Sequence, residues 1–484
     1  MNNQIDKPTC NCGIIGVFGH PNASLISYYA LHALQHRGQE AAGILSSDYN
    51  SNFYIHKGMG LVSEVFADPK VLTDELVGNS AIGHNRYSTT GASDSRKNIQ
   101  PFFVNYRLGN LAVAHNGNLT NAKMLRDKLV DEGAIFQTTS DTEVILHLIA
   151  RSRKSDQIEQ VKDALSQIQG AFSLVILTDD KLIAARDKFG FRPLSLGKLN
   201  GAYIVTSETC ALDINSATYI RDVAPGEIIV VNNKTLNDGN ISSYTLPLTT
   251  NYPSIKKHCI FEFIYFSRPD SQVFGSNVDK MRRKLGKILA TNHPVRDKND
   301  EKVIVISVPD SSNTTAIGYY SGLSKLNIAS KLEIGLIRSH YIGRTFIAPT
   351  QQNREIGVKI KFNIVKGVLE NKTIVVIDDS IVRGTTSKQL IKLLREAKPK
   401  EIHLRISSPM ITHPCFYGMN FPSKEELIAN KFCSDLEEIR KFLDVDTLEY
   451  LTIEEMLFAM KEHDKDDFCT ACFSGQYPIP INEY

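Results

Sequence analysis

Three stretches of this chain join reactive side chains to backbone that can use them. Near the start, Cys12 is followed by Gly13-Ile14-Ile15-Gly16-Val17-Phe18-Gly19, a thiol at the mouth of an apolar strand with glycines that let other backbone come close. A thiol there suits a nucleophile; alone, a thiol at a strand start is usually just a small buried apolar group. In the second half, the apolar run Thr373-Ile374-Val375-Val376-Ile377 meets Asp378-Asp379-Ser380-Ile381-Val382 and then Arg383-Gly384-Thr385-Thr386-Ser387. Two acids at a strand tip can grip sugar hydroxyls or a divalent cation, and the Gly/Thr loop can turn amides and hydroxyls toward a phosphate at a helix N-terminus. Third, Cys469-Thr470-Ala471-Cys472 is a C-x-x-C pair, and Cys259 and Cys415 bring the total to the four thiols of a metal site. Tetrahedral zinc fits that set as well as iron does.

Such groups need rigid elements beneath them. Apolar runs bounded by Gly, Asn or Asp at 13–19, 41–46, 110–115, 171–178 and 226–231 predict strands buried on one face, mixed with two good helices. One helix is predicted near 140–152, where Ser140 and Glu143 have the spacing of a capping box. The mixture predicts a layered α+β domain. Residues 245–254, TLPLTTNYPS, are rich in Thr and Pro without a clear period and mark the boundary. Beyond them strand and helix alternate: strand 303–308, helix near 314–321, strand 373–377, helix 385–396, strand 401–408. That rhythm predicts an α/β domain with a parallel sheet, whose ligands sit at the carboxyl ends of strands. A length of 484 residues suits two such domains.

Further polar motifs lie beside glycines or at element ends: His36-Arg37-Gly38-Gln39-Glu40, Gly83-His84-Asn85-Arg86-Tyr87-Ser88-Thr89, His115-Asn116-Gly117-Asn118 and Thr139-Ser140-Asp141-Thr142-Glu143. With the Cys12 motif they make five in one order, and residues 12–245 resemble the glutaminase domain of the N-terminal-nucleophile amidotransferases, a four-layer αββα fold. The resemblance implies that residues 1–11, Cys10 included, are a propeptide. Cys12 would then be the first residue, with its own α-amine, of reference pKa about 8, as the base for a thiol of about 8.5. It also implies an oxyanion hole from the Asn116 side chain and the Gly117 amide, and glutamine binding by Arg86, Thr89 and Asp141.

The 373–387 segment resembles the signature of the type I phosphoribosyltransferases, which implies phosphoribosyl pyrophosphate as substrate. With Pro309-Asp310-Ser311 and Tyr341-Ile342-Gly343-Arg344-Thr345-Phe346 added, residues 12 to about 478 resemble the amidophosphoribosyltransferase family, in its iron-sulfur branch. That likeness implies one Mg²⁺ per subunit on Ser311, Asp378 and Asp379, with the 5′-phosphate in the loop of Arg383, Gly384, Thr385, Thr386 and Ser387. A loop through Tyr341, Arg344 and Thr345 would close over the sugar and help form a passage for ammonia. One [4Fe-4S] cluster per subunit on Cys259, Cys415, Cys469 and Cys472 would staple the C-terminal tail, residues 246–484 forming the second domain. The implied reaction is synthesis of 5-phosphoribosylamine in de novo purine biosynthesis, with purine nucleotides as feedback inhibitors and a homotetramer. Some relatives have glycine where Ser312 stands. Cys210 and Cys433 have no such context and are expected in the core.

Bulk properties narrow the partners. Lys plus Arg number 55 against 53 acids, a net charge of +2, so nothing general favours nucleic acid or an anionic membrane. No apolar run reaches a membrane span and the first residues lack a secretory core, so a cytoplasmic location is expected. Other glutamine amidotransferases, acting on a sugar phosphate or on aspartate, share the first half but not the Asp-Asp-Ser-Ile-Val-Arg-Gly-Thr-Thr loop. A nucleotide-responsive phosphoribosyl-binding protein without catalysis would have no use for Cys12, Asn116 and Asp141.

Overall fold

The computed structural model describes residues 12–48, 50–87, 96–246, 256–339 and 361–481. Thr89, the loop residues Tyr341, Arg344 and Thr345, and the expected propeptide 1–11 lie outside the described residues. Strand Gly13–Phe18 is buried at every position, because it runs through the middle of a seven-stranded sheet. The spatial order is Thr218–Asp222, Ser195–Leu199, Ala202–Thr206, Gly13–Phe18, Ser80–Arg86, Ala41–Ser47, Phe53–Met59. A six-stranded sheet packs on it, ordered Ser242–Thr245, Glu227–Asn232, Lys181–Arg186, Gly170–Thr178, Gly109–Leu119, Phe102–Tyr106. Ile14, Phe18 and Ile82 of the first interleave with Ala112, Ala114 and Val175 of the second.

Outside the first sheet, Ile15 and Val17 pack on helix Ala23–Ala33 through Ala30 and Leu31. Outside the second lie helices Ala122–Asp131, Thr142–Arg151 and Gln157–Leu165. The result is the expected αββα layering, but with four sizeable helices in place of two. Small residues and two buried serines blur the period of helix Ala23–Ala33. Strands Ser80–Arg86 and Ser195–Leu199 escape prediction because their polar residues, His84, Asn85, Arg86 and Ser195, are buried with the apolar ones.

The capping box expected at Ser140 does not form. The helix begins at Thr142, and the Glu143 carboxylate turns back to accept the amides of Gln137 and Thr138, both at 2.8 Å, and the Thr138 hydroxyl at 2.7 Å. Glu143 thus fixes the turn leading into Asp141 rather than the helix start.

In the second half five strands, all paired in parallel, are ordered Ser330–Leu332, Val303–Ser307, Thr373–Asp378, Glu401–Ile406, Thr447–Tyr450. Alternate residues face opposite ways, as a strand's two-residue period requires. Val303, Val305, Val375 and Ile377 meet helices Val278–Asn292 and Asn313–Lys325, and Ile304, Ile306, Ile374 and Val376 meet helix Thr385–Arg395. The winding reverses between the 303–307 and 373–378 strands, so their carboxyl ends frame a cleft.

Hydrogen bonds join the halves: the backbone amides of Lys257 and Cys259 donate to the carbonyls of Phe189 and Phe191 at 2.8 and 3.1 Å, and the side-chain Nδ2 of Asn118 to that of Phe416 at 2.9 Å. Cys210 is buried as expected, but Cys433 is exposed, at a residue with φ of 50°. Among the described residues no helix is long and apolar enough to cross a membrane.

Removing the Glu143 carboxylate strips two amides and a hydroxyl of their acceptor. Glu143→Ala is expected to cost roughly 1–3 kcal/mol of stability, read as a lower thermal unfolding midpoint; an unchanged midpoint would deny that carboxylate its part in holding the turn.

Candidate active sites

Gly13 pairs with Asn85 and Ile14 with His84, so Cys12 stands at the open end of its strand beside Arg86. Its sulfur lies 3.6 Å from the carbonyl oxygen of Tyr87. Across to the second sheet, His84 Nε2 meets the carbonyl oxygen of His115 at 3.3 Å, which brings Asn116 and Gly117 to the same end. Asn116 is fully buried, and neither atom of its carboxamide has a hydrogen-bond partner among the described residues. Such a group costs roughly 1–3 kcal/mol, which a bound acceptor would relieve. At Gly117 a Cβ would lie 2.0 Å from the carbonyl oxygen of Ala171, so only glycine lets the strand pass there.

Asp141 is held close by. Its Oδ2 accepts the amide of Leu119 at 3.0 Å, and Oδ1 the Thr142 hydroxyl at 3.4 Å. Gln100 ties this segment to the Asn116 strand: Oε1 accepts the His115 amide at 2.8 Å and Nε2 donates to Thr142 Oγ1 at 3.1 Å. Nothing in the sequence around Gln100 marks it for that task. Burial pushes the Cys12 thiol up to about 11; Arg86 pulls it down and Asp141 pushes it up, which places both charges near the sulfur. Burial and then Arg86 lower His84 to about 3, so its ring is neutral at physiological pH.

At the second site Asp378 and Asp379 are both buried at the tip of the 373–378 strand. Ser311 Oγ donates to Asp379 Oδ2 at 2.5 Å and Ser312 Oγ to Asp378 Oδ1 at 3.3 Å, so the three expected cation ligands converge, and the serine at 312 adds a donor that glycine lacks. Two carboxylates and a hydroxyl are the hard oxygen donors Mg²⁺ takes. Gly384 caps helix Thr385–Arg395 with φ of 79°, which favours glycine. Thr385, Thr386 and Ser387 form the first turn of that helix, whose positive end suits a phosphate. Arg383 leans outward, Nε donating to Glu426 at 2.8 Å.

The four cysteines line one apolar cavity with the rings of Phe191, Phe261, Tyr417 and Tyr477. Cys259 and Cys469 are neighbours in a two-residue parallel ladder, and the carbonyl of Cys472 accepts the amides of Thr412 and His413. Burial, and after it the neighbouring thiols and Glu262 against the pull of Arg192, push Cys259 up to about 11; burial likewise raises Cys469 and Cys472. Among the described residues no three His, Cys, Asp or Glu gather as ligands of a single ion.

A thiol and a buried carboxamide at one end of two stacked antiparallel sheets, on a chain with an acid pair at a parallel-sheet switch point, define a glutamine amidotransferase joined to a phosphoribosyltransferase. Residues 84–213 match the family described as glutamine amidotransferase domain. A chloroplastic amidophosphoribosyltransferase of Vigna aconitifolia is 50% identical over 478 residues, covering 99% of this chain and 93% of that protein. This chain belongs to the amidophosphoribosyltransferase family. The Bacillus subtilis amidophosphoribosyltransferase is 45% identical over 97% of this chain and 94% of its own. The solved B. subtilis glutamine phosphoribosylpyrophosphate amidotransferase, complexed with ADP and GMP, superposes with a TM-score of 0.87 at 44% identity over 98% of both chains.

With residues 1–11 still attached, Cys12 has a buried thiol and no α-amine. Its alkylation by iodoacetamide is expected to be slow at pH 8 and to rise about tenfold per pH unit toward pH 11, as the thiolate fraction does. Peptide mass spectrometry follows this, and fast labelling at pH 8 would contradict the raised value.

Proposed function

We propose that this chain makes 5-phosphoribosylamine from glutamine and phosphoribosyl pyrophosphate, the first committed step of de novo purine biosynthesis. The observation that carries the reading is the buried carboxamide of Asn116, unpartnered among the described residues, at the sheet end where Cys12, Arg86 and Asp141 also stand. A phosphoribosyl-binding regulator without catalysis gains nothing from such a donor.

Once residues 1–11 are removed, the α-amine of Cys12 takes the proton from Sγ, and the sulfur attacks the glutamine carboxamide carbon. Asn116 Nδ2 and the Gly117 amide donate to the oxyanion, and a donor of this kind lowers the barrier by roughly 3–4 kcal/mol. The C–N bond breaks, the proton leaves with ammonia, and water opens the thioester to glutamate. Arg86, Thr89 and Asp141 hold the amino-acid end of the substrate. Ammonia then crosses to the second half, where the loop of Tyr341, Arg344 and Thr345 closes over the sugar and excludes water. It attacks the anomeric carbon as the bond to pyrophosphate breaks. Ser311, Asp378 and Asp379 would hold one Mg²⁺ per subunit, which supplies charge to the departing pyrophosphate. The Arg383–Ser387 loop receives the 5′-phosphate.

The four cysteines would hold one [4Fe-4S] cluster per subunit, tying residues 469–472 to Cys259 and Cys415. Purine nucleotide feedback, a homotetramer and a cytoplasmic location belong to the same reading. The relative solved with ADP and GMP supports the first.

Cys12→Ala is expected to abolish synthesis from glutamine and to spare synthesis from ammonia; loss of both in folded protein would break the division of labour. Asp378→Ala should lower both rates together, by on the order of a hundredfold. Protein purified without oxygen should carry about four iron and four sulfide per chain; stoichiometric zinc in their place would dismiss the cluster.

A further inference from the structure

The chemistry above leaves unused a buried ionic network that joins the two halves directly behind Cys12. Arg37 belongs to the His36-Arg37-Gly38 motif, and its Nε donates to the carbonyl oxygen of Cys12 at 3.4 Å. Its Nη1 donates to Glu208 Oε1 at 2.5 Å and to Glu262 Oε2 at 2.9 Å, and its Nη2 to Glu262 Oε1 at 2.8 Å. Glu262 lies in the second half. Its Oε1 also accepts Arg192 Nη1 at 3.3 Å, and Oε2 the Ser267 hydroxyl at 2.6 Å. Arg192 in turn donates Nε and Nη2 to the carbonyl of Tyr417, two residues beyond Cys415, at 3.1 and 2.8 Å.

All four ionic side chains, Arg37, Arg192, Glu208 and Glu262, are fully buried. Burial pushes Glu262 toward its neutral form, but Arg37 and Arg192 outweigh it and hold the carboxyl below its usual range. Both outer nitrogens of Arg37 rest on that carboxylate and Nη1 also on Glu208, so the other half of the molecule shares in setting the angle at which Nε meets the Cys12 carbonyl. The next residue presses on the glutamine-binding side: a Cβ at Gly38 would lie 2.8 Å from the carbonyl oxygen of Arg86. A shift of this turn therefore moves the nucleophile and the end of the Arg86 strand together, and displacements of about 1 Å can cost a hundredfold in rate.

We propose that Glu262 is a positioning residue for glutamine hydrolysis: through Arg37 it places the Cys12 main chain, and through Arg192 it shares that hold with the loop around Tyr417. The half that consumes ammonia thereby aligns the thiol that releases it. This rests on Cys12 being the glutaminase nucleophile.

The test uses full-length processed protein and the substitution Glu262→Gln, which keeps the shape and removes the charge. The kcat for glutamine hydrolysis is expected to fall about 10- to 100-fold with the KM for glutamine changed less than about threefold, while synthesis from ammonia stays within about twofold. Glu262→Gln combined with Arg37→Gln should lose clearly less than the product of the two single losses, because both substitutions remove the Arg37–Glu262 contact. Unchanged hydrolysis, an equal loss of ammonia-dependent synthesis, or a double variant whose losses multiply would each overturn the proposal. Wild-type and Cys12→Ala controls separate the two claims: if the wild type fails to hydrolyse glutamine, or Cys12→Ala still does, the assignment of Cys12 fails instead.

Discussion

One carboxylate, that of Glu262, receives two arginines in the dry seam between the halves, and the way the halves meet follows from it. Taking one partner from a fully buried ion pair typically costs about 3–5 kcal/mol, because the remaining charge is stranded away from water. Sliding one half over the other would strand several charges at once. The direct bonds from Asn118 to Phe416 and from Cys259 to Phe191 sit in the same seam and inherit its fixed geometry.

Within each half the reactive groups stand at strand tips, where a rigid sheet ends and solvent or substrate begins. In the first half two antiparallel sheets bring Cys12 and Asn116 to one edge, and Gln100 locks the Asn116 strand to the start of the Asp141 helix. In the second a parallel sheet brings Ser311 and the two acids together where its winding reverses. The sheets differ in hydrogen-bond direction, yet each gathers a few buried polar groups at one end.

The elements with a simple period were legible. The 373–378 strand and the helix after Gly384 stand where an apolar run followed by a Gly/Thr loop places them, and the five motifs around Cys12 announced the first domain. Less visible was anything that depends on partners distant in the chain. Ser140 and Glu143 have the spacing of a cap, but the amides of Gln137 and Thr138 compete for the same carboxylate and win. Arg37, Arg192 and Glu208 carry the charges of ordinary surface residues, and only their mutual pairing allows burial. Glu262 gave one faint signal, an acid set in the aromatic run Phe261–Phe266. Cys433 misled because a cysteine without a motif reads as a core residue, whereas here it ends a short helix in the open.

The short ladder that sets Cys259 beside Cys469 has a bearing on how the chain is made. Next to it, Lys257 Nζ donates to the carbonyl of Asp466, 209 residues later. A ribosome adding about 5–20 residues per second takes roughly 10–40 s to travel that far. Throughout that interval the nascent N-terminal half can already be folded, while Cys259 waits with its aromatic neighbours uncovered. The newborn enzyme therefore passes through a stage in which the thiol pocket is half built and open to oxidants.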